Sequence, residues 1–202
     1  MKLFQYALLL LVLYSCKPTQ QVVNNNNKGI TLTNFSTSES VAKTLSYLAS
    51  DELEGRDSGS EGIEKAAVFL EKLMNENSLK PYFKTYRDTL SNFDKPAYNI
   101  VGYLEGNDSK FKNEFVIIGA HYDHIGRIKA VNGDDIGNGA NDNASGSTAV
   151  TELIKYFGNK KVNKRSILFV FFSAEEKGLL GSKHLAKKLN NEKLDLYFMF
   201  NF

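Results

Sequence analysis

Residues 114–121 read EFVIIGAH and residues 165–176 read RSILFVFFSAEE. Each is a continuous apolar run of strand length, closed by residues that carry chemistry. Runs of this kind fit strands buried on both faces, because a strand with one wet face alternates apolar and polar residues. Between the two runs, ASGSTAVTELIKYFGN (144–159) has helical spacing, with Gly158 as a candidate C-cap. After the second, GLLGSKHLAKKLN (178–190) reads as a helix with a basic last turn, and DLYFMFNF (195–202) as a further strand. Upstream, STSESVAKTLSYLAS (36–50) offers Ser36 or Ser38 as an N-cap, with Val41, Leu45 and Leu48 on one face. DELEGRDSGS (51–60) reads as a polar loop. In EGIEKAAVFLEKLMNENSL (61–79), Ile63, Ala66, Ala67, Leu70, Leu73 and Met74 share a helix face, and the SGSEG stretch at 58–62 can cap it. YFKTYRDTL (82–90) and AYNIVGYLEG (97–106) read as strands of a hairpin turning at SNFDKP. Buried strands alternating with helices predict an α/β three-layer sandwich around a mixed, largely parallel sheet.

Composition narrows the class. The chain has 202 residues, 42% hydrophobic and 24% charged, enough for one domain with a core. Its 25 basic and 23 acidic residues are dispersed, so no basic face argues for a nucleic-acid partner. The opening MKLFQYALLLLVLYSC joins one lysine to an apolar stretch too short to cross a bilayer, which takes ~20 apolar residues. It reads as a secretory signal over residues 1–15. Leu13-Tyr14-Ser15-Cys16 resembles a bacterial lipobox, making Cys16 a lipidation site; a plain secretory signal or a buried apolar helix is the alternative. Cys16 is the sole cysteine, so no intrachain disulfide can form. Residues 16–34, with their NNNN tract, have tether composition, and the folded domain is expected over 35–202. The expected location is the periplasmic or outer-surface face of a bacterial membrane, reached through a lipid anchor.

Ligands of sheets of this type gather at the C-terminal strand ends. His121 ends one strand, Glu175 and Glu176 follow another, and Asp142 lies in the loop GDDIGNGANDNASG before a helix. Each has an ordinary reading: a turn histidine, a turn or calcium-type loop, a solvated helix start. The loop lacks the spacing of an EF-hand. At one edge of one sheet the residues make a mixed His/carboxylate set, which zinc accepts in hydrolytic sites. Adjacent glutamates at a bend can divide the work, one on a metal and one taking a proton. Neither H-E-x-x-H nor G-x-S-x-G occurs. His184, among Lys183, Lys187 and Lys188, reads as a surface residue, and His124 as equally a pocket or a structural residue.

GAHYDHIG, GANDNASG and FFSAEEKGLLGS, in this order, resemble the co-catalytic zinc aminopeptidases, metallopeptidase family twenty-eight. YLASDELEGRDSGSEGIEKAAVFL and YNIVGYLEG resemble that family's N-terminal part, so the likeness runs from Phe35 to Phe202. The resemblance implies two zinc ions, with His121 on one, Glu176 on the other and Asp142 bridging. It implies Glu175 as general base, Asp123 as the carboxylate that holds His121 in its tautomer, and peptides with a free N-terminus as substrates. Catalytic zinc usually has three protein ligands. These motifs supply two per ion, and the family adds an Asp after the strand ending Asn201-Phe202 and a His further on. The chain is therefore expected to be an N-terminal fragment, inactive by itself. A glutaminyl cyclase of the same architecture, or a binding ectodomain without catalysis, are the other readings.

Overall fold

The computed structural model describes residues 35–202. The expected signal segment, Cys16 and the tether lie outside the described residues. The elements in chain order are α1 (Ser38–Leu48), a 3-10 stretch (Asp51–Arg56), α2 (Glu61–Glu76), β1 (Lys80–Pro81), β2 (Arg87–Thr89) and β3 (Tyr98–Leu104). Then come β4 (Phe115–His121), β5 (Arg127–Val131), β6 (Asp134–Ile136), a π-type turn (Ala140–Ala144), α3 (Ser145–Lys160), β7 (Ser166–Phe172), α4 (Leu180–Asn191) and β8 (Leu196–Asn201). The main sheet runs β1-β3-β7-β4-β8, with β2 also paired to β3, and β5 and β6 form a separate ribbon. β7, β4 and β8 are mutually parallel, while β3 runs antiparallel to β7. The sheet is mixed, as expected, and its parallel part holds the strand ends from which the candidate ligands come.

β7 shows how the layers form. All seven of its residues are buried. Ile167, Phe169 and Phe171 point into one core with Ile100, Leu70 and Ile154, roofed by α1, α2 and α3. Leu168, Val170 and Phe172 point into the other, against Leu185 and Leu189 of α4. The period-2 alternation of a strand thus feeds two apolar layers, which is why the sequence shows no polar face there. The six apolar positions read on α2 are all buried, and Ser60 caps it, accepting from the Ile63 N–H at 3.3 Å.

Four local expectations are corrected. The N-cap of α1 is Thr37, whose hydroxyl accepts from the Ser40 N–H, rather than Ser36 or Ser38. The loop 51–60 holds the 3-10 stretch Asp51–Arg56, bent where Glu54 and Gly55 adopt positive φ. Gly158 is not a cap: α3 runs on to Lys160, and Lys161 takes the left-handed cap conformation. A Cβ on Gly158 would lie 2.2 Å from the Asn77 carbonyl oxygen, so this glycine serves the close crossing of α3 by the end of α2. The strand read over 82–90 is interrupted. Pro81 pairs with Gly102 and Arg87 with Ile100, so residues 82–86 all face the single position Val101. Tyr82 and Tyr86 each bond to Val101, and the residues between them bulge away.

Candidate metal centre

β4 and β7 lie parallel with His121 opposite Phe172, so their ends deliver His121 and the Ser173–Glu176 turn to the same place. The third approach is the loop 137–144, which enters α3 beside them. Gly139 in that loop has φ +59, and a Cβ there would lie 2.5 Å from the Asp142 carbonyl oxygen and 2.7 Å from a His124 ring carbon. Only glycine lets the loop turn this tightly under Asp142.

The side chains named from the sequence converge. His121 Nε2 lies 3.0 Å from an Asp142 carboxylate oxygen and 4.0 Å from Glu175 Oε2. His121 Nδ1 bonds to the backbone carbonyl of Asp123 at 3.1 Å. That carbonyl requires the proton on Nδ1 and leaves the Nε2 lone pair facing Asp142, the tautomer a metal needs. Burial pulls the His121 pKa down, but the Asp123 and Glu175 charges and the carbonyl contact outweigh it, so the value stands above the usual histidine one. The side chain of Asp142 is 62% exposed against 11% for His121, so the carboxylate is free to swing while the imidazole is fixed.

Asp123 does a different task from the one expected. Its carboxylate stands 3.7 Å from His121 Nδ1, beyond hydrogen-bond length, and it is the backbone carbonyl that holds the ring. The carboxylate instead accepts from the Glu175 N–H at 3.2 Å, the Glu176 N–H at 3.3 Å and the Ser58 hydroxyl at 3.2 Å. Fully buried, it clamps the glutamate turn to the end of β4.

One histidine takes the pocket reading left open for it, and another departs from its reading. His124 joins the site: Nδ1 lies 2.8 Å from Glu176 Oε1, and one donor atom each of His124, Asp142 and Glu176 falls within 4.8 Å of the others. His184 is not a surface residue. Its side chain is 13% exposed and sits 3.4 Å from the fully buried Asp88, which also takes the Lys188 ammonium at 2.7 Å. This cluster lies on the α4 side, apart from the candidate ligands. The signal for His184 was tertiary: Asp88 of β2 and α4 meet only once the sheet has closed.

The donor set fits a metal. Two donors bound at 2.0–2.1 Å to one tetrahedral ion stand roughly 3.3 Å apart. His121 Nε2 and Asp142 need open by only a few tenths of an ångström to reach that separation. Asp142 also lies between His121 on one side and the His124/Glu176 pair on the other. Beside them is a cleft of about 420 Å³ lined by His121, Asn143, Glu175, Leu179, Met199 and Phe202.

Residues 99–202, just over half of the chain, match the model of Peptidase family M28. The chain belongs to Peptidase family M28. Leucine aminopeptidase 2 of Trichophyton equinum is 32% identical over 111 residues, 54% of this chain and 20% of that protein. The LapA aminopeptidase of Legionella pneumophila has the same fold with a TM-score of 0.63 at 24% identity, over 82% of this chain and 42% of LapA. A glutaminyl cyclase of Bacteroides thetaiotaomicron matches with a TM-score of 0.61 at 16% identity, over 82% of this chain and 61% of the cyclase. The M28 chain thus spans about a fifth of the length of the curated relatives it matches and about two fifths of LapA. The fold is that of the zinc exopeptidases, and aminopeptidases and a cyclase share it.

Proposed function

We propose that this M28 chain forms part of a zinc-dependent aminopeptidase. The observation that carries the reading is the convergence of His121, Asp142, Glu175 and Glu176 from two parallel strand ends and one loop. His121 through Nε2, Asp142 between two positions, and Glu176 would hold two zinc ions. When bound, the metal supplies Lewis-acid chemistry, polarising the scissile carbonyl and making water more acidic. Glu175, 36% exposed at the cleft and clear of the His124–Glu176 pair, takes the proton from the attacking water and returns it to the leaving amine. Asp123 fixes the Glu175 and Glu176 backbone, so the two carboxylates keep separate directions. The carboxylates of Glu175 in the cleft and of Asp142 and Glu176 near it suit the ammonium group of a peptide with a free N-terminus.

Glu175→Gln tests the assignment. In the full-length enzyme that carries this chain, hydrolysis of an aminoacyl-anilide should fall about 10²–10⁴-fold with zinc content unchanged. Activity surviving in Glu175→Gln would remove Glu175 as the base. Cyclisation of a glutaminyl peptide without anilide hydrolysis would make the protein a cyclase instead. We propose also, on the sequence alone, that the chain is exported and anchored by a lipid on Cys16. Palmitate labelling lost in Cys16→Ser is the expected result, and labelling that persists there would contradict it.

A further inference from the structure

Arg56 is 1% exposed, and burying a cation is costly unless its donors are satisfied. Its guanidinium donates to four backbone carbonyls: Nε to Tyr122 at 2.9 Å, Nη1 to Leu48 and to Asn138 at 2.8 Å, and Nη2 to Gly139 at 2.9 Å. Leu48 is eight residues away, but the other three partners are far off in sequence. Tyr122 is 66 residues on, directly after His121, and Gly139 is 83 residues on, three before Asp142. The Arg56 carbonyl in turn accepts from the His124 N–H at 3.1 Å. Burial lowers the Arg56 pKa to about 10, with the Asp123 and Asp142 charges acting the other way, so the fork keeps its charge and all its donors at neutral pH. The glycine at 139 gives a second, independent sign of design: a Cβ there would lie 2.7 Å from Arg56 Nη2, so the loop is drawn down onto the guanidinium.

We propose that Arg56 is a positioning residue of the metal site, its planar fork setting the distance between His121 and Asp142 by gripping the chain beside each. The proposal rests on the metal-site reading above and reaches outside residues 99–202, the part of the chain that the family model matches. Lysine carries the same charge but not the fork, so it cannot grip Tyr122, Asn138 and Gly139 together. Ser58, two residues on, extends the same support to the third segment: its hydroxyl donates to Asp123 and accepts from the Ala174 N–H at 3.0 Å.

The test uses the full chain with Arg56→Lys, chosen because Arg56→Met risks unfolding. Zinc affinity is measured by competition with a chelator, the metal-free melting temperature by calorimetry, and ligand geometry by the visible absorption of the cobalt-substituted protein. Metal-free Arg56→Lys should still unfold cooperatively, at a melting temperature below that of wild type because some of the buried carbonyls lose their donor. It should bind zinc about ten- to a hundredfold more weakly, the usual effect of disturbing groups that orient ligands, with a shifted cobalt band. Affinity within about twofold of wild type and an unchanged cobalt spectrum would overturn the proposal and leave the metal site standing. A metal-free Arg56→Lys chain that does not fold would also overturn it, by making Arg56 a general core element. A wild-type chain that takes up no zinc would sink the metal-site reading and the proposal together.

Discussion

β7 and β8 read almost alike, SILFVFF and LYFMFN, and both run parallel to β4. Every residue of β7 is buried and every residue of β8 is exposed. β7 has β3 and β4 as neighbours and a helix layer on each face, whereas β8 pairs with β4 alone among the described residues. An apolar run therefore specifies a strand and its place in the sheet's parallel half, but not what covers it. The same contrast holds at the strand ends. β7 leads into Glu175 and Glu176, held by Asp123, while β8 ends beside the cleft with the Phe202 carbonyl accepting from Asn143 at 2.9 Å.

The largest expected effect separates the two strands directly. Phe171→Ala should cost about 3–5 kcal/mol in urea unfolding, because it empties a closed core. Phe200→Ala, at a residue 52% exposed, should stay within about 0.5 kcal/mol. Equal losses would mean that β8 is covered in solution. Lys155→Met probes what holds the helix layer over β7. Glu152, 5% exposed, takes the Lys155 ammonium at 2.6 Å and the Ser40 hydroxyl of α1 at 2.8 Å. Burial raises its pKa, but the bonds from Lys155, Ser36 and Ser40 outweigh that and hold it low. Its stabilisation is therefore present above the unfolded-state pKa and lost as pH falls through the folded one. Removing Lys155 should cost about 1–3 kcal/mol near neutral pH, with less loss in acid, by urea unfolding at two pH values.

A smaller effect belongs to His121. Its pKa is raised, so in the metal-free protein the stabilisation is complete below the unfolded-state value and fades as pH rises through the folded one. Metal-free melting curves should thus show a loss of stability that begins above pH 6.5, and one that His121→Gln removes. Zinc affinity should move the opposite way, strengthening over the same rise in pH as the imidazole loses its proton. The smallest effect is at the free edge. Phe198→Lys should leave the unfolding midpoint nearly unchanged while reducing self-association, since a charge on an exposed edge strand blocks pairing with another chain. Unchanged self-association in that variant would mean that the edge is not the sticky surface.

What the sequence made legible was whatever depends on local period and strand ends. All six core positions of α2, the burial of β7, and the gathering of His121, Asp142, Glu175 and Glu176 follow from spacing and from the strand-end rule. What it concealed depends on contacts between distant segments. The break at 82–86 exists because five residues answer to one position, Val101. Arg56 looked like a loop residue because three of its four carbonyl partners lie 66 to 83 residues away. His184 was read from its lysine neighbours, and only the packing of α4 on β2 hides it. Asp123 was given the ring of His121, yet the backbone carbonyl two residues along was better placed, and that freed the carboxylate for the glutamate turn.

The proposed function requires the ends of β4 and β7 and the loop before α3 to make one metal site with Asp142 in its middle. Calorimetric titration of zinc into the metal-free protein, beside the Asp142→Asn variant, tests it most directly. Zinc binding should be saturable and should weaken at least about a hundredfold in Asp142→Asn, because the donors on both sides lose their shared partner. Zinc binding of equal strength in the two proteins would contradict it.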